Sequence, residues 1–207
     1  FASRVVELDR LPKARPDIPV ASDPNMLFYV QRSTNPNTVV YAARLDAAGK
    51  LDMAQPVEVF WRRFKSDGAR VPLSFTERNV AYGVDVRRIE GRDDAVLANI
   101  VSYPDRKAVI EAGAAMKPRA VLQIGNRRAR LVYAYIDVDD SGTVPKVKSV
   151  DIYSTDLSTG KALHRMLTKC AAATARTSSG IVHAERTGAR NARSPKMTKI
   201  FMNTCAM

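Results

Sequence analysis

The chain has 207 residues, 45% hydrophobic and 26% charged, enough for one domain with a sizeable core and too balanced for a disordered chain. No apolar run approaches the ~20 residues that a membrane-spanning helix needs, and two cysteines and two histidines exclude a disulfide scaffold, a cysteine zinc cluster and most histidine chemistry. Thirty-three Lys and Arg stand against 21 Asp and Glu, a net charge of +12, so acidic proteins and nucleic acids enter as partners.

Residues 1–26 are electrically neutral and carry Pro12, Pro16, Pro19 and Pro24. Repeated proline removes backbone donors and favours extended chain. This segment reads as a lead-in strap. The chain starts at Phe1, so a removed targeting peptide or a trimmed chain is expected. With the basic excess, that points to the mitochondrion, with export as the alternative.

Residues 27–163 read as a run of strands. Leu27 to Gln31 and Thr38 to Leu45 are β-branched and aromatic and flank the turn Asn35-Pro36-Asn37. Val57 to Phe64 is a third strand, closed by Ser66-Asp67-Gly68. Ser74 to Tyr82 has weaker β character and suits a helical turn or two. Strands follow at Val84 to Ile89, Ala95 to Tyr103 and Lys107 to Glu111. Ala120 to Ile124 then turns at Gly125-Asn126 into Arg127 to Asp137, the clearest hairpin. In that returning strand, alternation puts Leu131, Tyr133 and Tyr135 on one face and Val132, Ala134, Ile136 and Val138 on the other. Lys146 to Ser154 completes the pattern. The expected fold is all-β: an antiparallel barrel or closed sandwich of about nine short strands with extended N- and C-terminal arms.

Several of these stretches resemble the domain of unknown function 4833 family. They are Leu27 to Ser33 with Asn35, Asn37 and Thr38 to Tyr41; Val59 to Arg63; Glu77-Arg78; Ala81-Tyr82-Gly83; Tyr103 to Lys107; Val121 to Ile124; and Val150 to Tyr153 with Thr155-Asp156 and Thr159-Gly160-Lys161. The resemblance covers about residues 27–163. It implies a compact all-β domain and carries no activity or catalytic residues.

Residues 164–207 hold eight Lys and Arg against Glu185 alone, so +7 of the total charge sits there. Few large apolar residues and no sustained alternation accompany it. The segment reads as a basic, low-complexity arm that orders only against a partner. Arg176, Arg186, Arg190, Arg193, Lys196 and Lys199 would grip carboxylates or phosphates, with Phe201 as an apolar anchor. Because the strand pattern is complete by residue 163, a chain ending there is expected to keep its fold.

The search for chemistry is spare. His164 and His183 read as surface or tail residues, and Cys170 and Cys205 as free thiols or a tail disulfide. Asp137-Val138-Asp139-Asp140-Ser141-Gly142 imitates half a calcium loop, but Lys148 stands where the bidentate carboxylate belongs. No metal or cofactor is expected. One cluster could bind a ligand: Gln31, Arg32, Asn35, Asn37, Trp61, Arg63 and Tyr82, since arginine beside aromatics clamps anions or planar rings. The competing reading makes Trp61 and Tyr82 core aromatics and the asparagines turn residues.

The leading expectation is a non-enzymatic accessory subunit or adaptor, tied by its arms to other protein subunits of a larger complex. The first alternative is a small-ligand-binding β-barrel. The second is an RNA- or ribosome-associated basic protein.

Overall fold

Short β-branched and aromatic runs, punctuated by polar turns, build strands throughout the computed structural model, which describes residues 5–113, 116–143 and 146–168. The first strands are β1 (Val5–Leu8), β2 (Met26–Arg32), β3 (Asn35–Ala43), β4 (Val57–Arg62) and β5 (Arg70–Pro72). A π-type helical turn, Glu77–Tyr82, precedes β6 (Val84–Arg88), β7 (Ala95–Ile100), β8 (Ala108–Gly113) and β9 (Met116–Ile124). Long strands close the sheet: β10 (Arg127–Asp139), β11 (Lys146–Asp156) and β12 (Ala162–Thr168).

All twelve belong to one sheet, ordered β5-β4-β3-β2-β10-β9-β8-β7-β6, with β11 on β10, β12 on β11 and β1 on β12. The sheet curls into a half-barrel and stays open, with β5, β6 and β1 as its edge strands. The all-β expectation holds. Pairing is antiparallel except between β2 and β10, which run parallel. The nine expected strands all form, and β1, β5 and β12 are additional. The sheet therefore runs past both ends of the expected strand pattern, taking in Val5–Leu8 from the strap and, through β12, residues 164–168 from the basic arm.

β10 organises the fold. One edge pairs with β11 along most of its length. On the other edge Arg127 to Arg130 pair with β9, and Tyr133 to Ile136 pair with β2. Between these segments the register against β11 shifts at Leu131/Tyr133. Such a bulge inserts a residue and bends the strand, which lets β10 leave one neighbour for the other.

The bulge also corrects the face assignment of β10. Leu131 joins Ala134 and Ile136 in the inner core, whereas Tyr133 and Tyr135 pack on the outer face. The inner core gathers Leu27, Phe28, Tyr41, Trp61, Ile110 and Ile124, among others. On the outer face an aromatic row crosses four strands. Tyr29 stacks on Tyr133 at 5.1 Å, Tyr133 on Tyr153 at 4.4 Å, and Tyr153 on His164 at 4.7 Å. Each pair lies directly opposite across its ladder, where cross-strand aromatics stabilise a sheet. His164, expected at the surface or in the tail, is instead half-buried in this row, 2.7 Å from the Asp151 carboxylate.

The proline-rich strap covers the outer face. Ile18 and Ala21 are buried, and Ala14 packs beside Tyr133. The Tyr133 hydroxyl donates to the Pro12 carbonyl. Arg15 donates to the carbonyls of Arg32 and Ser33, 2.9 Å from each. Asp23 is clamped by Arg62. Extended proline-rich chain has few ladder bonds to offer, so side chains dock it.

Candidate functional site

The curl leaves a cavity of about 300 Å3 on the inner face. Phe28 of β2 and Tyr41 of β3 form part of its wall, stacked at 4.3 Å. Ile110, Ile124, Leu131 and Ile152 add aliphatic surface from β8, β9, β10 and β11. Every second residue of a strand faces inward, and the curvature gathers those faces into one apolar concavity.

Tyr82, at the end of the helical turn, joins the cavity to the core. Its hydroxyl accepts from Arg32 Nη1 at 2.9 Å, and its backbone carbonyl accepts from the Tyr41 hydroxyl at 2.9 Å. Burial pushes the Tyr41 hydroxyl well above the usual tyrosine range, with Tyr82 adding to it, so Tyr41 remains a neutral donor. The next residue must be glycine: a Cβ on Gly83 would lie 1.8 Å from the Arg78 carbonyl oxygen.

The charged lining of the cavity comes from the loop between β7 and β8 and from β12. Ser102, Tyr103, Asp105, Arg106 and Lys107 line it from the loop, and Arg165 from β12. The loop is tethered: Val101 N donates to the Gly83 carbonyl at 2.9 Å, and the Ser102 hydroxyl to the Ala81 carbonyl at 2.6 Å. Among the described residues, the buried Tyr103 hydroxyl has no hydrogen-bond partner. Burial pushes the Arg165 guanidinium below the usual arginine range; the charge of Arg106 acts in the same direction, and Tyr103 opposes it.

Of the ligand cluster expected from sequence, Arg32 and Trp61 meet at Tyr82. Only Tyr82 lines the cavity, with Arg32 bound to its hydroxyl. Gln31 is buried and reaches Thr38 Oγ1 at 3.4 Å. Asn35 Oδ1 accepts from Asn37 N at 2.9 Å, and Asn37 Oδ1 accepts from Lys65 N at 3.2 Å, so both shape turns. Trp61 is a core residue, 8% exposed, with its ring edge-on to Tyr82 at 5.2 Å and its indole N–H donating to Glu77 Oε1 at 3.1 Å. Arg63 is exposed.

The arm residues Arg176, Arg186, Arg190, Arg193, Lys196, Lys199 and Phe201 lie outside the described residues, as do Cys170, Cys205 and His183. Asp139 forms the polar turn that its sequence suggests, accepting from the Ser141 hydroxyl at 2.6 Å. Among the described residues, no group of three or more His, Cys, Asp or Glu side chains could hold a metal ion, and no helix is long and apolar enough to cross a membrane.

Sequence reasoning missed Tyr103, Arg106 and Arg165. The first two stand in the stretch Tyr103 to Lys107 that carries part of the family resemblance. Arg165 was hidden by assigning everything after residue 163 to the arm.

An open, all-β half-barrel around a largely apolar cavity is the class of protein that fold and site define. Its family is the one described as Domain of unknown function (DUF4833), to which the chain belongs, the match running over residues 28–165 and so from β2 into β12. No curated protein and no solved structure matches it.

Proposed function

We propose that this half-barrel is a binding protein, without catalysis of its own, for a small and largely apolar molecule held in the inner cavity. The observation that carries the reading is the cavity itself, about 300 Å3 and walled by Phe28, Tyr41, Ile110 and Ile124. Ligand sites fall in this size class and are mostly apolar with a few placed polar groups. The volume is about twice the roughly 150 Å3 of an engineered apolar cavity that takes up benzene.

The test uses Nile red, a neutral dye that fluoresces in apolar surroundings. The full chain should bind one dye with blue-shifted emission. Ala98→Phe and Ala134→Phe, which each fill the cavity from a small lining residue, should abolish binding while circular dichroism stays that of the parent. No binding by the parent, or unchanged binding in folded variants, overturns the reading.

A second reading is an accessory subunit held in a larger assembly by its basic segment. It is supported by the +7 of residues 164–207. Co-purification with protein partners, lost at high salt, tests it; nuclease-sensitive co-purification would favour RNA instead.

A further inference from the structure

We propose that β6 is a dimerisation edge: two copies of the chain pair their β6 strands antiparallel about a two-fold axis at Val86, so that the open sheet of one copy runs on into that of the other.

β6, Val84–Arg88, ends the strand order on one side and, among the described strands, pairs with β7 alone. Asp85, Val86, Arg87 and Arg88 are exposed. An edge of this kind presents a row of unpaired backbone donors and acceptors, and proteins usually blunt it. The other edges are blunted. β5 is three residues long and ends on Pro72, and β1 commits its one charge, Glu7, to Arg127 and Lys161. β6 contains no proline, and Asp85 and Arg87 enter no ion pair among the described residues.

The register decides which backbone groups point outward. Val101 N donates to the Gly83 carbonyl at 2.9 Å, and Val84 lies opposite Ile100. Gly83 and Val101 therefore form a hydrogen-bonded pair. Such pairs alternate with non-hydrogen-bonded ones along an antiparallel ladder, so Asp85 and Arg87 turn their backbone groups to β7, and Val84, Val86 and Arg88 turn theirs to the open edge. A two-fold axis at Val86 sets these three against the same three of a second copy: Val86 against Val86, and Val84 against Arg88. The intervening positions then bring Asp85 of each copy opposite Arg87 of the other, at the non-hydrogen-bonded sites where side chains lie closest. Moving the axis by one residue sets Asp85 against Asp85 or Arg87 against Arg87, and like charges directly opposite destabilise a ladder. β6 is thus self-complementary in one register, the condition that a two-fold interface imposes.

Analytical ultracentrifugation of the full chain between about 1 and 200 μM should show a monomer–dimer equilibrium. Asp85→Arg or Arg87→Asp alone turns both charge pairs into like-charge pairs and should weaken the dimer about tenfold or more. Mixing the two single variants restores opposite charges at both pairs and should recover association as a heterodimer. Val86→Pro removes the central donor from the open edge and leaves the bonds to β7 in place; it should be monomeric, with the circular dichroism of the parent. A parent that stays monomeric, as when another segment or partner takes this edge, overturns the proposal. So do single variants that dimerise like the parent, which would put the contact on another surface, and a mixture that associates no better than either variant does by itself.

Discussion

Arg32 and Tyr82 are 50 residues apart in the chain, yet Arg32 Nη1 donates to the Tyr82 hydroxyl across 2.9 Å. The bond fastens the helical turn to β2, on the wall that also carries Phe28. Tyr82 is engaged at three points: its hydroxyl by Arg32, its ring by Trp61 and its carbonyl by Tyr41.

Tyr82→Phe removes one of these and leaves the ring in place. It should cost about 1.5–3 kcal/mol, the range for a hydrogen bond to a charged group. Urea unfolding measures it. A midpoint equal to that of the parent would show that Arg32 finds water or another acceptor at no loss.

Glu77 makes stability depend on pH. Burial pushes its carboxyl up, but hydrogen bonds from the Ser74 amide, the Ser74 hydroxyl and the Trp61 indole outweigh this and hold it below its ordinary 4.5. A carboxyl lowered in the folded state adds stability that is present above the unfolded value and lost as pH falls through the folded one. In Glu77→Gln one of the two acceptor oxygens remains and the titration is gone. The stability difference between parent and Glu77→Gln should therefore be constant above about pH 5 and shrink below 4.5. Urea midpoints across that range test it; a difference that grows on acidification contradicts the assignment.

The sheet continues past residue 163, through β12 to Thr168. Leu163 is fully buried and Leu167 nearly so, both in the inner core, and β12 pairs with β11 and β1. A chain ending at 163 loses Leu167 and most of the strand. Losing one buried leucine alone costs about 2–5 kcal/mol. A chain ending at 168 should match the full protein in thermal midpoint, and one ending at 163 should be strongly destabilised. Equal stability of the two would place β12 outside the cooperative unit.

Much of the architecture was legible because strand signals are local. Thr38 to Tyr41 and Val57 to Trp61 are β-branched or aromatic, and the Gly125-Asn126 turn sits at the expected hairpin, where Gly125 adopts φ +62°. β12 was less legible because His164, Arg165 and Met166 interrupt its apolar residues. Their surroundings come from elements remote in sequence: His164 stacks on Tyr153 of β11, and Arg165 lines the cavity together with Tyr103 and Arg106 of the β7–β8 loop. The strap shows the same limit, since proline spacing predicts extended chain but not the Tyr133 hydroxyl that receives it.

The sequence alone determined that this protein is a run of mostly antiparallel strands with a basic excess at its end, because propensity, alternation and turn chemistry act over a few residues. Only the tertiary structure decided which residues share a face and a cavity. Alternation along β10 groups Leu131 with Tyr133, yet the bulge between them sends Leu131 inward and Tyr133 outward. A one-residue shift reverses every side chain beyond it, and the shift is set by pairing with β11, which the spacing of residues along β10 does not encode. The site follows the same rule: Phe28, Tyr103 and Arg165 line one space because the sheet curls, and curl arises from pairing among many strands.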